Sequence, residues 1–300
     1  MKIVIAGGTG FLGSALSAAL ARDGHDVVVL TRGSRARPRA VTWTPNGEVG
    51  PWASEVNGAG AIVNLAGESI ASGRWSPARK QRIRDSRIRA TRSLASAMLA
   101  ASASPPVFIS GSAVGYYGPR GDEPVTEETS AGSDFLADVC VQWEAEAMRA
   151  ASDRTRVVCI RTGVVIEKDG GALPQMALPF KLFAGGPVGS GRQYMPWIHR
   201  DDWVGLVRWA IVTASIAGPL NLTGPQPVTN AQFAHALGAA LHRPAFMKMP
   251  ALPIRVALGE MADALLLSGQ RALPAKAERG GYQFKYATVD TALRAIYSQR

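Results

Sequence analysis

Cysteine is scarce in these 300 residues: only Cys140 and Cys159 occur, both in apolar surroundings and without metal-type spacing. A disulfide framework and a structural zinc are therefore not expected. The four histidines are scattered and form no HxH or HxxxH pair, so no metal-ligating cluster is predicted. Long apolar runs are missing too. Residues 61–66 and 157–160 are far shorter than the ~20 residues of a bilayer-spanning helix. The first residues also lack the charged stretch, apolar run and cleavage site of a secretory leader. The expectation is a cytoplasmic protein that does not enter a membrane.

Acidic side chains are the minority charge, 23 against 33 Lys and Arg, for a net charge of +10. The basic excess gathers in two stretches. One holds Arg32, Arg35, Arg37 and Arg39; the other runs from Arg79 through Lys80, Arg82, Arg84, Arg87 and Arg89 to Arg92. No recognised DNA- or RNA-binding motif accompanies them, so nucleic acid is not an expected partner. A solvated helix face accounts for such charge, and attraction of an anionic cofactor or substrate is the other reading. At 47% hydrophobic residues, the chain can bury a large core.

The first thirteen residues organise the rest. Ile3, Val4 and Ile5 form an apolar run too short for a helix, and Gly7, Gly10 and Gly13 break it into a turn that opens an amphipathic stretch over residues 14–22. That spacing suits a dinucleotide. Gly7 permits the tight turn, Gly10 lets backbone approach a pyrophosphate, and Gly13 allows close packing of helix on strand, while the free N–H groups of Thr9, Phe11 and Leu12 meet the phosphates. A second strand, 26–30, ends in Thr31-Arg32. An NAD site would place an acid about 20 residues past the glycines to bind the ribose hydroxyl. Arg32 stands there instead and suits a 2′-phosphate, so NADP(H) is the predicted cofactor.

Further strands are predicted at 41–44, 61–67, 107–110 and 156–160, with helices from Ser76-Pro77 to about residue 101 and over 134–152. This alternation predicts an α/β fold, a doubly wound parallel sheet of Rossmann type over 1–162, with later segments returning to it. A smaller, mostly helical substrate lobe follows over 163–300. Gly- and Pro-rich loops dominate 170–196, and helices are predicted near 202–213, 230–241 and 253–267. The loop Gly111-Ser-Ala-Val-Gly-Tyr116-Tyr117-Gly118, just past a strand end, is the other candidate site.

These residues resemble an atypical extended short-chain dehydrogenase/reductase of the NAD-dependent epimerase/dehydratase type, with a small C-terminal domain from about residue 250. The resemblance rests on Gly7-Gly-Thr-Gly-Phe-Leu-Gly13, Asn64-Leu-Ala-Gly67-Glu68, Arg74-Trp75, Asp85-Ser86-Arg87, Ser112 with Tyr116-Tyr117, Trp143-Glu144, Arg161-Thr-Gly163, residues 185–193 running into Trp197-Ile-His199, Gly269-Gln-Arg-Ala-Leu-Pro274 and Gly281-Tyr-Gln-Phe284. It implies a nicotinamide dinucleotide lying over Leu65, Ala66 and Gly67, with Arg82, Arg87 and Arg161 among its contacts. Arg87 takes the place of an asparagine four residues before Thr91, as it does in the atypical family.

The resemblance also implies a tyrosine and a lysine four residues later at the start of the helix after the serine loop; Phe135 and Val139 are read at those places, so the usual relay is missing. Ser112, Tyr116 and Tyr117 are left as catalytic candidates, with packing against cofactor the alternative for either tyrosine. Arg192 and His199 are expected to position a small substrate, which the basic excess allows to be anionic; a buried, structurally satisfied His199 is the alternative. The function implied is an NADP(H)-dependent reductase or epimerase. Its rival is a non-catalytic NADP(H)-sensing protein that uses the C-terminal lobe as a partner surface. A homodimer is an assembly open to either.

Overall fold

The computed structural model describes residues 1–33 and 39–298; Arg35 and Arg37 lie outside the described residues. The chain begins β1 (Lys2–Ala6), α1 (Phe11–Arg22), β2 (Asp26–Thr31), β3 (Ala40–Thr42), β4 (Ala61–Asn64), α2 (Pro77–Ala100), β5 (Val107–Ala113), β6 (Pro124–Val125), α3 (Phe135–Met148) and β7 (Arg156–Thr162). Then come β8 (Val164–Glu167), β9 (Gly170–Gly171), α4 (Leu173–Lys181), β10 (Tyr194–Met195), β11 (Trp197–His199), α5 (Arg200–Val212), β12 (Gly218–Leu222), β13 (Val228–Thr229) and α6 (Asn230–Leu241). The last segments are α7 (Ala251–Leu258), α8 (Glu260–Ala262), β14 (Arg271–Ala272), α9 (Ala275–Arg279) and α10 (Val289–Ser298).

Seven strands form one parallel sheet in the order β12-β7-β5-β4-β1-β2-β3. Both faces are covered, which explains why the central strands read as unbroken apolar runs. Ile3, Ile5, Ile109 and Ile160 pack beneath α1 and α5, while Val4, Ala6, Phe108 and Val157 pack beneath α2 and α3. Each such side chain, fully buried, contributes roughly 1.5–3 kcal/mol. A further core cluster gathers side chains of β8, β11, α4, α6 and α10.

Helix starts follow from local chemistry. Ser76 caps α2 by accepting from the Arg79 N–H at 3.2 Å, Asp134 caps α3 through Ala137 at 2.8 Å, and Thr229 with Gln232 forms a capping box on α6. Two stretches differ from the sequence reading. Helix α4 lies in the segment read as loops: Pro174 sits in its first turn, where its missing N–H costs nothing, and Pro179 falls close to the helix end. The helix read over 253–267 is instead α7, α8 and a π turn at Asp263–Leu267, divided at Gly259, whose φ is +62°.

Candidate active site

Strand order reverses between β1 and β4, and the carboxyl ends of these strands open a cleft of about 680 Å³. Its walls are the Gly7–Gly10 turn, Thr31 to Gly33 after β2, Leu65 to Glu68 after β4, and Arg82, Asp85, Ser86 and Arg89 from α2. Gly7 has φ +80° and lies so close to Leu65 that a Cβ would sit 2.7 Å from its carbonyl. A Cβ on Gly13 would come within 2.2 Å of the Gly7 carbonyl oxygen. Gly10 is different: the nearest atom to a Cβ there is 3.4 Å away, so the space above it belongs to the cleft.

Gly10 N–H is bonded to Gly7 and Ser14 N–H to Gly10, which leaves the N–H groups of Phe11, Leu12 and Gly13 without backbone acceptors among the described residues. No side chain caps α1 and no acid stands in its first turn. Free donors and the positive end of the helix dipole therefore face the cleft. Arg32 borders the same cleft; Asp26 is engaged by Arg39, and Arg32 has no carboxylate partner among the described residues. These features fit a dinucleotide with a 2′-phosphate.

A second cavity of about 280 Å³ lies at the ends of β5 and β7, closed by the later lobe. Ser112, Gly115, Leu136, Val139, Cys140 and Trp143 line one side, and Met176, Gln193, Tyr194, Met195, Leu266 and Gln270 line the other. Arg87 joins the two spaces. It borders the second cavity, packs over Gly67 of the first, stacks 5.3 Å from the Trp143 ring, and donates through Nη1 to the carbonyls of Glu68 and Ile83, both at 3.0 Å. Burial lowers its pKa, yet guanidinium remains charged at any working pH.

Behind Ser112 lies a closed polar network. Ser112 donates to Glu144 at 2.6 Å, and Arg161 holds the same carboxylate with two bonds of 2.8 and 2.9 Å. Arg161 Nη1 donates to the Tyr117 hydroxyl at 3.0 Å, which in turn donates to Asn221 Oδ1 at 2.7 Å. The main-chain N–H of Asn221 donates to Glu127, and its side-chain amide to the Leu273 carbonyl at 2.8 Å.

The model of the NAD dependent epimerase/dehydratase family matches residues 3–221, and that of a domain of unknown function, DUF1731, matches 249–296. The chain belongs to the epimerase/dehydratase family. Within it, epimerase family protein MT2273 of Mycobacterium tuberculosis is 46% identical over 292 residues, 97% of this chain and 96% of that protein. The crystal structure of human epimerase family protein SDR39U1 (isoform 2) with NADPH superposes with a TM-score of 0.93 at 35% identity and covers 100% of both chains. A nucleoside-diphosphate sugar epimerase of Corynebacterium glutamicum gives 0.82 at 34% identity, covering 100% of this chain and 59% of that one.

In this epimerase-family chain several residues depart from the roles expected of them. Tyr117 is 0% exposed, both its bonds are internal, and burial pushes its pKa up to about 12, so it cannot exchange protons with a ligand. Tyr116 lies beneath the Arg161 guanidinium, 3.4 Å from its ring centre, and borders neither cavity. Arg161 itself is buried on Glu144 rather than turned to a cofactor. Arg192 is exposed and away from both cavities, whereas its neighbours Gln193 and Tyr194 line the second. Phe135 packs edge-on against Trp75 and does not line the cavity; Leu136 and Cys140, four residues apart, do, as do Val139 and Trp143. Burial pushes the Cys140 thiol up to about 12, so it stays protonated and donates to the Ala113 carbonyl.

His199 caps α5 and lines neither cavity: its Nδ1 accepts from the Asp201 N–H at 3.0 Å, and its ring lies 4.0 Å from that of Tyr286. It is 4% exposed, and burial lowers its pKa from 6.5 to about 4, with Asp201 opposing the shift. The unfolded chain thus takes up this proton first. Stability from a neutral His199 is complete above about pH 6.5 and is lost as the pH falls toward 4. His199→Asn keeps a cap acceptor without the titration, and urea unfolding from pH 7 to 4 is expected to show a correspondingly flatter pH dependence.

No helix among the described residues is long and apolar enough to cross a membrane.

Proposed function

We propose that this chain is an NADP(H)-binding, atypical short-chain reductase or epimerase acting in the cytoplasm on a small metabolite. The observation that carries this reading is the placement of a phosphate-accepting cleft and a mostly apolar second cavity on either side of the Arg87–Gly67 contact. Gly7, Thr9, Gly10 and the free N–H groups of Phe11, Leu12 and Gly13 hold the diphosphate, Leu65, Ala66 and Gly67 lie under the ribose, and Thr31, Arg32 and Arg82 receive the 2′-phosphate side. Binding of NADPH by the human relative supports the assignment.

A nicotinamide bound there would supply hydride to a carbonyl carbon. The oxygen that gains charge requires a proton. Among the hydroxyls lining the cavity, Ser112 gives its proton to Glu144, Thr162 to Ile160 and Ser268 to Asp263. Tyr194 is the exception, for its hydroxyl has no protein partner among the described residues, and Arg271 lies 5.6 Å from its ring. Tyr194 donates the proton in this reading and regains one from water; Ser112 and Glu144 shape the wall. A cofactor-sensing role without turnover is the second reading, favoured by Leu136 and Cys140 on the wall where a tyrosine–lysine relay would act.

Two measurements test the proposal. A metabolite screen that follows NADPH fluorescence and oxidation together separates binding from turnover, and the absence of oxidation across it leaves the sensor. Arg32→Asp is expected to lower NADPH affinity roughly 10- to 100-fold while sparing NADH, as loss of charge-assisted bonds to phosphate would do. Equal calorimetric affinities of the unmutated protein for NADPH and NADH would remove Arg32 from the site.

A further inference from the structure

The second cavity differs in chemistry from the first. Ile70, Leu136, Val139, Met176, Met195 and Leu266 make its surface predominantly apolar, and among the described residues no aspartate, glutamate or lysine lines it. Among the described residues the only lining cation is Arg87, whose guanidinium lies over the Trp143 ring and is held by the carbonyls of Glu68 and Ile83. The two cations that would have received an anionic substrate are elsewhere: Arg192 is on the surface and His199 is a neutral helix cap. At about 280 Å³ the space is slightly below the ~300 Å³ at which ordinary small-molecule sites begin.

Two polar groups in that lining stand out: the Trp143 Nε1–H is buried with no hydrogen-bond partner among the described residues, and Gln270 offers a whole carboxamide. Gln270, on the segment between the π turn and β14, is 8% exposed, borders the cavity, and its carboxamide has no hydrogen-bond partner among the described residues. Gln193, by contrast, spends its amide on the carbonyls of Val188 and Leu266, at 3.0 and 2.8 Å. The Gln270 carboxamide is therefore free to hydrogen-bond whatever enters the cavity, water or a ligand oxygen.

We propose that the second cavity takes a compact, uncharged, mostly apolar ligand whose single hydrogen-bonding oxygen is met by the Gln270 carboxamide, rather than a nucleoside-diphosphate sugar or a carboxylate. The inference rests on reading this cavity as the substrate site. An apolar body replaces water against the aliphatic wall, the amide N–H of Gln270 meets a carbonyl or hydroxyl oxygen, and a second diphosphate would find there a single cation, Arg87, already engaged by two carbonyls. The C-terminal region, which supplies both Gln270 and Leu266, therefore selects the ligand.

The test uses the full chain saturated with NADPH and three probe sets: acetophenone with 1-tetralone, 4-acetylbenzoate as the charged match of the first, and UDP-glucose. Saturation-transfer NMR and calorimetry are expected to show the neutral ketones binding at least tenfold more tightly than either charged probe. Gln270→Leu is expected to weaken the ketones about tenfold with NADPH affinity unchanged. Gln270→Glu, equal in shape, should weaken them comparably and guards against a packing defect in the leucine variant. Tighter binding of 4-acetylbenzoate or UDP-glucose, failure of both ketones to bind, or unchanged ketone affinity in both variants overturns the inference. NADPH oxidation is recorded in parallel. Ketone binding without oxidation removes the reductase and leaves the ligand class standing, whereas oxidation preferring 4-acetylbenzoate overturns the class and upholds the reductase.

Discussion

Gly10→Ala is expected to leave the fold intact and to weaken NADPH binding at least 100-fold, whereas Gly13→Ala is expected to damage the fold itself. Gly10 has an extended backbone, φ −77° and ψ 177°, that any residue adopts, and its Cβ would meet no protein atom nearer than 3.4 Å. The added methyl instead fills space a diphosphate needs at van der Waals contact, so the cost falls on the ligand. On Gly13 the same methyl would lie 2.2 Å from the Gly7 carbonyl oxygen and 2.7 Å from the Gly8 Cα, both backbone atoms. Relief requires moving α1 off β1, which costs on the order of 1–3 kcal/mol or more. Thermal unfolding and NADPH calorimetry on both variants check the pair. A Gly10→Ala protein with unaltered NADPH affinity would show that the turn is not the phosphate cradle.

A comparable contrast is expected in the chemistry. Once a turned-over carbonyl compound is found, Tyr194→Phe should lower kcat by roughly 10²- to 10⁴-fold, the usual worth of a positioned proton donor, with KM little changed. An alternative relay can then be installed on the opposite wall. Leu136 and Cys140 stand one helical turn apart beside Ser112, so Leu136→Tyr with Cys140→Lys places a phenol and an ammonium in the cavity, with Glu144 close to the lysine. This double variant is expected to regain most of the lost kcat in the Tyr194→Phe background. Phe135→Tyr with Val139→Lys should not, because residue 135 packs on Trp75 outside the cavity. Undiminished kcat in Tyr194→Phe removes the phenol from the mechanism.

The phosphate cleft was legible in the sequence because its parts are local. Gly7 to Gly13 act within one strand-turn-helix unit, and the position of Arg32 follows from the length of the next strand. The second cavity was hardly legible. Helix rotation of about 100° per residue means that a one-residue difference in register moves a side chain from cavity to neighbouring helix; that is the distance between Phe135 and Leu136. At the approach to β10 one residue again makes the difference: Arg192 is exposed, whereas the consecutive Gln193, Tyr194 and Met195 line the cavity. Tyr116 and Tyr117 lie in a short 3-10 turn whose direction is set by Asn221 and Arg161, partners 104 and 44 residues from Tyr117. Gln270 falls within the Gly269-Gln-Arg-Ala-Leu-Pro274 stretch of the family resemblance, but nothing in that stretch assigns it a role. What marks it is the absence of a partner, which only the folded chain reveals.

The seventh strand of the sheet sets a timetable for synthesis. β12 pairs with β7 through Gly218 to Leu222, and until it does so β7 is an apolar edge strand with unpaired N–H and C=O groups. Roughly sixty residues separate the end of β7 at Thr162 from the end of β12 at Leu222. At about 5–20 residues per second, a ribosome exposes that edge for some 3–12 s before its mate exists. The nucleotide cleft is fully encoded well before that point, yet Arg161 and Tyr117 still await Asn221, and Ser112 stands beside them on an uncovered β5–β7 pair. A chain stopped after β7 would keep every phosphate-binding glycine and still present the sticky edge, which makes the first 162 residues a hazardous fragment to express rather than a minimal binding unit.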